Sequence, residues 1–124
     1  MAHRSRICAV LLDTGADAYA DTVAFWAGAL GRTATFDADK RYTALPGALD
    51  YIVQRVDSDH RGMHIDIETD DVAAEVARLE ALGARRKYQV RSWWVMEDPG
   101  GHAFCVVPVQ SQSWPDGATE WPQS

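Results

Sequence analysis

Histidine exchanges protons near neutral pH, with an ordinary pKa of about 6.5, and its neutral ring is a ready metal ligand. His64 sits in the stretch Gly62–Thr69, where Met63, Ile65 and Ile67 are apolar and His64, Asp66 and Glu68 are polar. That period of two is a half-buried strand with three ionisable side chains on one side, as an acid/base or metal site requires. His64 and Glu68 are therefore catalytic candidates and Asp66 a ligand-binding one, although a partly solvated sheet face gives the same alternation. Cys8 and Cys105 lie in apolar runs, where thiols behave as small buried hydrophobes. Two thiolates and an imidazole also suit zinc or another soft metal, which makes Cys8, His64 and Cys105 an alternative set without CxxC or HxxxH support. Trp93 and Trp94 are adjacent, so in a strand they point to opposite sides. One belongs to the core, and the other offers a planar ligand a flat apolar wall. Arg55, Arg91 and Tyr42 are further polar contact candidates, whereas His102 reads as a structural turn residue. The chain has no Gly-rich phosphate loop, Walker pattern or GxSxG elbow.

The elements that must position these residues come in two similar series. Residues 6–13 are an apolar strand ending in the turn-prone Asp13-Thr14-Gly15. Tyr19, Val23, Trp26 and Leu30 recur at helical spacing, with Asp17 or Asp21 in the first turn and Gly31 as the stop. Strands are predicted at 33–36, 41–45 and 50–56, and Asp57–Arg61 forms a linker. After the strand at 62–69, Asp70-Asp71 opens a helix with Val72, Val76, Leu79 and Leu82 on one face, stopping at Gly83. Strands at 84–90, 92–96 and 103–107 follow, the last two joined by the turn Asp98-Pro99-Gly100-Gly101. Ala29-Leu30-Gly31 matches Ala81-Leu82-Gly83, the mark of an internal repeat. Each half is too small to bury its own core, so the halves should pair. Residues 109–124 read as an irregular tail, and Trp114 and Trp121 within it point to docking on the body or on a second subunit.

A chain of 124 residues suits one domain, and 47% apolar with 24% charged residues is a globular balance. A net charge of −6 argues against a nucleic-acid partner, the only basic cluster being Arg85-Arg86-Lys87. No apolar run approaches the roughly 20 residues that span a bilayer, so a cytoplasmic protein with no membrane partner is expected.

Four strings, Phe25-Trp26-Ala27-Gly28-Ala29-Leu30-Gly31, residues 63–71, residues 76–84, and Asp98-Pro99-Gly100-Gly101-His102-Ala103-Phe104-Cys105, stand in this order. Together they resemble the vicinal oxygen chelate superfamily, which includes glyoxalase I, extradiol dioxygenases and bleomycin-resistance proteins. The likeness looks closest to actinobacterial glyoxalase-like domains. It implies an α+β fold of two tandem βαβββ modules, about 6–56 and 62–108, in one domain of residues 1–108. The sheet would be curved and mixed, with a central cleft and the helices on its outer face. On that pattern Met63, Ile65 and Ile67 suit the helix-covered side, and His64, Asp66 and Glu68 the cleft.

The resemblance also implies metal-ligand positions on four strands. His64 matches the usual histidine, and Gln54 takes another position as a weak oxygen donor. Cys105 stands where a carboxylate is usual, and Cys8 or Ala9 where metal-dependent members have His or Gln. The hard-metal set is broken. The leading expectation is thus a protein that binds a small apolar or aromatic molecule without metal, using Trp93 or Trp94 as a wall, His64 and Gln54 as hydrogen-bonding groups, and Asp66 and Cys105 beside them. The alternative is a lyase, isomerase or extradiol-type dioxygenase with a divalent metal on His64 and Gln54. A third reading is an assembly protein without ligand. The resemblance further implies a homodimer.

Overall fold

The computed structural model describes residues 2–37, 41–47, 49–57 and 62–122. Its elements run β1 (His3–Gly15), α1 (Ala16–Leu30), β2 (Thr35–Phe36), β3 (Tyr42–Leu45), β4 (Asp50–Val56), β5 (Gly62–Thr69), α2 (Val72–Ala81), β6 (Arg85–Val90), β7 (Trp93–Glu97), β8 (Ala103–Pro108) and β9 (Thr119–Trp121). The βαβββ series occurs twice, and the chain is of the mixed α+β class, as the sequence implies. The linker expected at Asp57–Arg61 lies, beyond Asp57, outside the described residues. The chain packs as two compact units. Ala9–His64 forms a central unit, and Met1–Cys8 with Ile65–Ser124 forms a terminal unit.

In the central unit the strand order is β2-β3-β4-β1. β3 runs antiparallel to β2 and β4, and β4 parallel to β1 from Ala9↔Asp50 to Gly15↔Val56. β1 thus continues through Asp13-Thr14-Gly15 instead of turning there, because β4 pairs with it to the end. α1 buries Tyr19 and Val23 against Val53, with Leu12 and Ala34 packed on them. The rest of its predicted face is less covered: Trp26 and Leu30 are half-buried, and Phe25, 63% exposed, meets Trp26 edge to face at 5.2 Å. The helix starts at Gly15 without a side-chain cap and stops at Gly31, whose φ of 64° lets its N–H reach the Ala27 carbonyl. With Leu12 and Val53 turned to the helix, pleating turns Asp13 and Gln54 to the other side.

In the terminal unit the order is β5-β8-β7-β6, with the start of β1 beside β5 and β9 antiparallel to His3–Ser5. α2 lies over β8 and β6. It packs Val76 onto Met96 and Val106, with Val72, Leu79, Trp94 and Phe104 around them. Asp71 caps it, accepting the Ala74 N–H at 3.0 Å. Leu82, expected on the helix face, follows the last turn and is 69% exposed. Ile65 and Ile67 pair with Phe104 and Val106, so they share the α2 side, and Asp66 and Glu68 share the opposite side with Cys105. Burial runs against the simple expectation: Ile65 is 40% exposed while Asp66 and Glu68 are buried. The tail after Pro108 covers the polar side, where Gln110 and Ser111 bond Glu68 and Gln110 bonds Asp66.

Candidate functional site

The central unit gathers the first candidate group. Asp13 on β1 is the register partner of Gln54 on β4, and Gln54 in turn of Tyr42 on β3. Gln54 Nε2 donates to the Tyr42 hydroxyl at 3.4 Å. His64 Nδ1 lies 3.3 Å from Asp13 Oδ2, both side chains about five-sixths buried, at 15% and 16% exposure. With Nδ1–H given to the carboxylate, the ring carries its lone pair on Nε2, the arrangement that orients a histidine for proton exchange or ligation. The other oxygen, Asp13 Oδ1, is buried and has no hydrogen-bond partner among the described residues. A buried carboxylate oxygen without a donor is costly and calls for an explanation. A ligand hydroxyl or N–H, or a cation, would supply one.

Sequence reasoning missed Asp13 because it reads as a turn residue. The run Ile7-Cys8-Ala9-Val10-Leu11-Leu12 is apolar at every position and carries no alternation that would extend the strand to Asp13. Arg55 has turned to the α1 side, since it follows Val53 by two. It does not join this group.

The terminal unit holds the second group. Asp66 and Cys105 are register partners. Gln110 Nε2 reaches both Asp66 Oδ2 at 3.4 Å and Cys8 Sγ at 3.3 Å, and Cys8 Sγ lies 3.6 Å from the Asp66 carbonyl oxygen. Both cysteines are buried. Trp93 and Trp94 separate as alternation requires. Trp94 pairs with Val106 and packs in the α2 core, with the Arg86 guanidinium 5.0 Å from its ring. Trp93 shares the side of Val95 and Cys105. Arg91 forms the turn between β6 and β7 with a φ of 50°. His102 Nδ1 meets Asp98 at 3.0 Å within an exposed turn, consistent with a structural role.

Glu68, paired with His64 as a catalytic candidate on sequence grounds, has another occupation. Its Oε1 accepts the N–H groups of Gln110 at 2.9 Å and Ser111 at 3.0 Å, and its Oε2 accepts Arg6 Nε at 2.7 Å and the Ser111 hydroxyl. A carboxylate has about four acceptor directions, so none remains for a substrate. Burial by itself would raise this carboxyl, but the Ser111, Gln110 and Arg6 hydrogen bonds hold it below the ordinary range. Glu68 anchors the tail. Arg6 also reaches the Ser113 hydroxyl at 2.8 Å and the Asp116 carbonyl, and the Trp114 ring lies 5.7 and 5.8 Å from the Arg4 and Arg6 guanidinium carbons.

A family model for the glyoxalase-like domain matches residues 9–107. The chain belongs to the glyoxalase-like domain family. Several solved structures are similar to this glyoxalase-like chain in fold. A hypothetical protein from Bacillus halodurans C-125 is 11% identical with a TM-score of 0.66, covering 88% of this chain and 97% of its own. A glyoxalase/bleomycin resistance protein/dioxygenase superfamily member from Vibrio splendidus 12B01 is 12% identical with a TM-score of 0.56, covering 85% and 99%. A methylmalonyl-CoA epimerase from Mycobacterium tuberculosis is 16% identical with a TM-score of 0.54, covering 86% and 89%. At these identities the likeness is one of fold. No curated protein matches the chain. Among the described residues of this glyoxalase-like chain, no helix is long and apolar enough to cross a membrane.

Proposed function

We propose that this glyoxalase-like chain, of the kind found in actinobacteria, binds a small apolar or aromatic molecule through the face of the central unit that carries Asp13, Gln54 and His64. The observation that carries the reading is the buried Asp13 Oδ1, without a donor among the described residues, beside the His64 ring. Such a group is satisfied by a ligand that brings its own donor, and a few fixed polar groups are what orient a ligand in an otherwise apolar site. Residues 1–108 would form the one functional domain of a cytoplasmic homodimer, with neither nucleic acid nor membrane as partner. Trp93, Asp66 and Cys105 are secondary ligand candidates on the terminal unit.

The test is a thermal-shift screen of phenols, aromatic acids and oxygenated small molecules on the full chain, repeated with Asp13→Asn and His64→Ala. The expected result is at least one compound that stabilises the native chain in a saturable manner, with affinity falling about tenfold or more in either variant, as the loss of a hydrogen bond to a charged group predicts. Equal stabilisation of all three proteins would overturn the assignment.

A second reading has its own support. An imidazole and an amide oxygen are donors that a borderline divalent cation accepts, with His64 and Gln54 as the holders and Asp13 orienting the ring. Such an ion would act as a Lewis acid on a substrate with neighbouring oxygens, in lyase, isomerase or dioxygenase chemistry. Elemental analysis of untagged protein after incubation with Ni, Zn, Mn and Fe(II) separates the two readings. Stoichiometric metal that disappears in His64→Ala favours the enzyme; none retained favours the metal-independent binder.

A further inference from the structure

On the α1 side of the central unit, opposite the face of Asp13 and Gln54, lies a groove of about 470 Å³. Tyr19, Val23, Ala24, Ala27 and Phe36 make an apolar lining, and Arg55 is the one charged residue among the described residues that line it. The groove exists because short side chains on α1 stand opposite Phe36, itself 55% exposed. The Tyr19 hydroxyl is already used by Thr43, so the ring offers the groove only its apolar surface. The volume falls within the roughly 300–1,000 Å³ typical of small-ligand sites.

Arg55 gives this space a chemical sense. Its backbone N–H is committed to the Arg41 carbonyl at 2.7 Å, but no ion pair engages its guanidinium among the described residues. On a chain of net charge −6, a half-buried arginine beside an apolar wall with no carboxylate paired to it among the described residues is unusual. A guanidinium fork matches a carboxylate in geometry as well as in charge. We infer that the α1 groove binds a small amphipathic carboxylate, its hydrocarbon or aromatic body lying along α1 and its carboxylate on Arg55. This site is separate from the one proposed around His64.

Calorimetric titration of the full chain with octanoate, and with octanol as the uncharged probe, tests the inference. Octanoate is expected to bind saturably and about tenfold more tightly than octanol, the factor that one charge-assisted hydrogen-bond pair supplies. Arg55→Leu should bring octanoate down to the affinity of octanol. Ala24→Phe, at an exposed helix position that tolerates a larger side chain, should abolish both. His64→Ala should leave octanoate binding unchanged, which separates failure here from failure of the site on the other face. The inference is overturned if octanoate does not saturate at millimolar concentration, or binds Arg55→Leu as it binds the native chain. It is also overturned if Ala24→Phe changes only the oligomeric state in sedimentation, since the groove would then be covered by a second copy.

Discussion

At the scale of single residues, the contrast between Asp13 and Glu68 organises the chemistry. Both are carboxylates on strands. Glu68 spends all its acceptor capacity inside the protein, whereas Asp13 keeps one buried oxygen with no donor among the described residues. Stability and function should therefore separate in their variants. Asp13→Asn removes the buried negative charge while leaving an oxygen for His64. The amide N–H group takes the unpaired position in place of the oxygen, so stability should change by less than about 1 kcal/mol while ligand binding weakens; urea denaturation and ligand titration of the same sample check both halves. Loss of stability together with undiminished binding would make Asp13 a structural residue. Glu68→Ala should do the reverse, because it strands the Arg6 guanidinium against the tail. The expected cost is about 3 kcal/mol, typical of breaking a buried ion pair, with ligand affinity at His64 unchanged. Neither role shows in sequence, where Asp13 is read with a turn and Glu68 with a solvated or catalytic face. What distinguishes them is which donors the fold brings within 3 Å.

At the scale of elements, both helices stop at a glycine, but they begin differently. α2 has a side-chain cap and α1 does not. Asp71→Ala should cost about 1 kcal/mol in equilibrium unfolding, the usual value of an N-cap. Asp17→Ala, which removes a first-turn charge and no cap bond, should cost about half of that, since an exposed charge at a helix start contributes only about 0.5 kcal/mol. Equal effects would mean that the first-turn charge contributes as much as the cap. The tail is the element that composition describes least well. Its polar residues suggest an irregular segment, yet Thr119–Trp121 form β9 on β1. Trp121 donates its indole N–H to the Ser5 hydroxyl at 2.9 Å and lies under the Arg78 guanidinium at 3.8 Å. A three-residue strand has no periodicity to detect, and its pairing depends on a partner more than a hundred residues away. Hydrogen exchange should find the amides paired across His3–Trp121 and Ser5–Thr119 protected in the native chain and exposed in Glu68→Ala.

At the scale of the whole molecule, the buried carboxylates set the response to acid. Glu75 on α2 is fully buried between His3 and Arg78, each at 2.8 Å. Burial would raise its carboxyl, but the hydrogen bonds from Arg78 and His3 hold it below its ordinary value. Glu68 is depressed in the same manner. A carboxyl depressed in the folded state binds its proton more readily when unfolded. Its contribution to stability is therefore complete above the ordinary value of 4.5 and disappears as the pH falls through the lower folded value. Urea midpoints should hold steady from neutral pH to about 5 and then fall steeply. The fall should be shallower in Glu68→Gln, which has one fewer carboxyl to titrate; parallel curves would show that this group does not govern the acid response.

The sequence by itself determined the α+β class, the doubled βαβββ order, the positions of both helices within a residue or two, and the family. These follow from local periodicity and from turn and cap residues, which act over a few neighbours. It also marked His64 and Gln54 as candidates through the resemblance. Only the tertiary structure decided that β1 runs on to set Asp13 beside His64, that Trp94 is core and Trp93 is not, and that the tail seals Glu68. Those outcomes depend on register and on long-range donors, and a side chain's availability for chemistry is fixed by what the fold leaves unpaired around it.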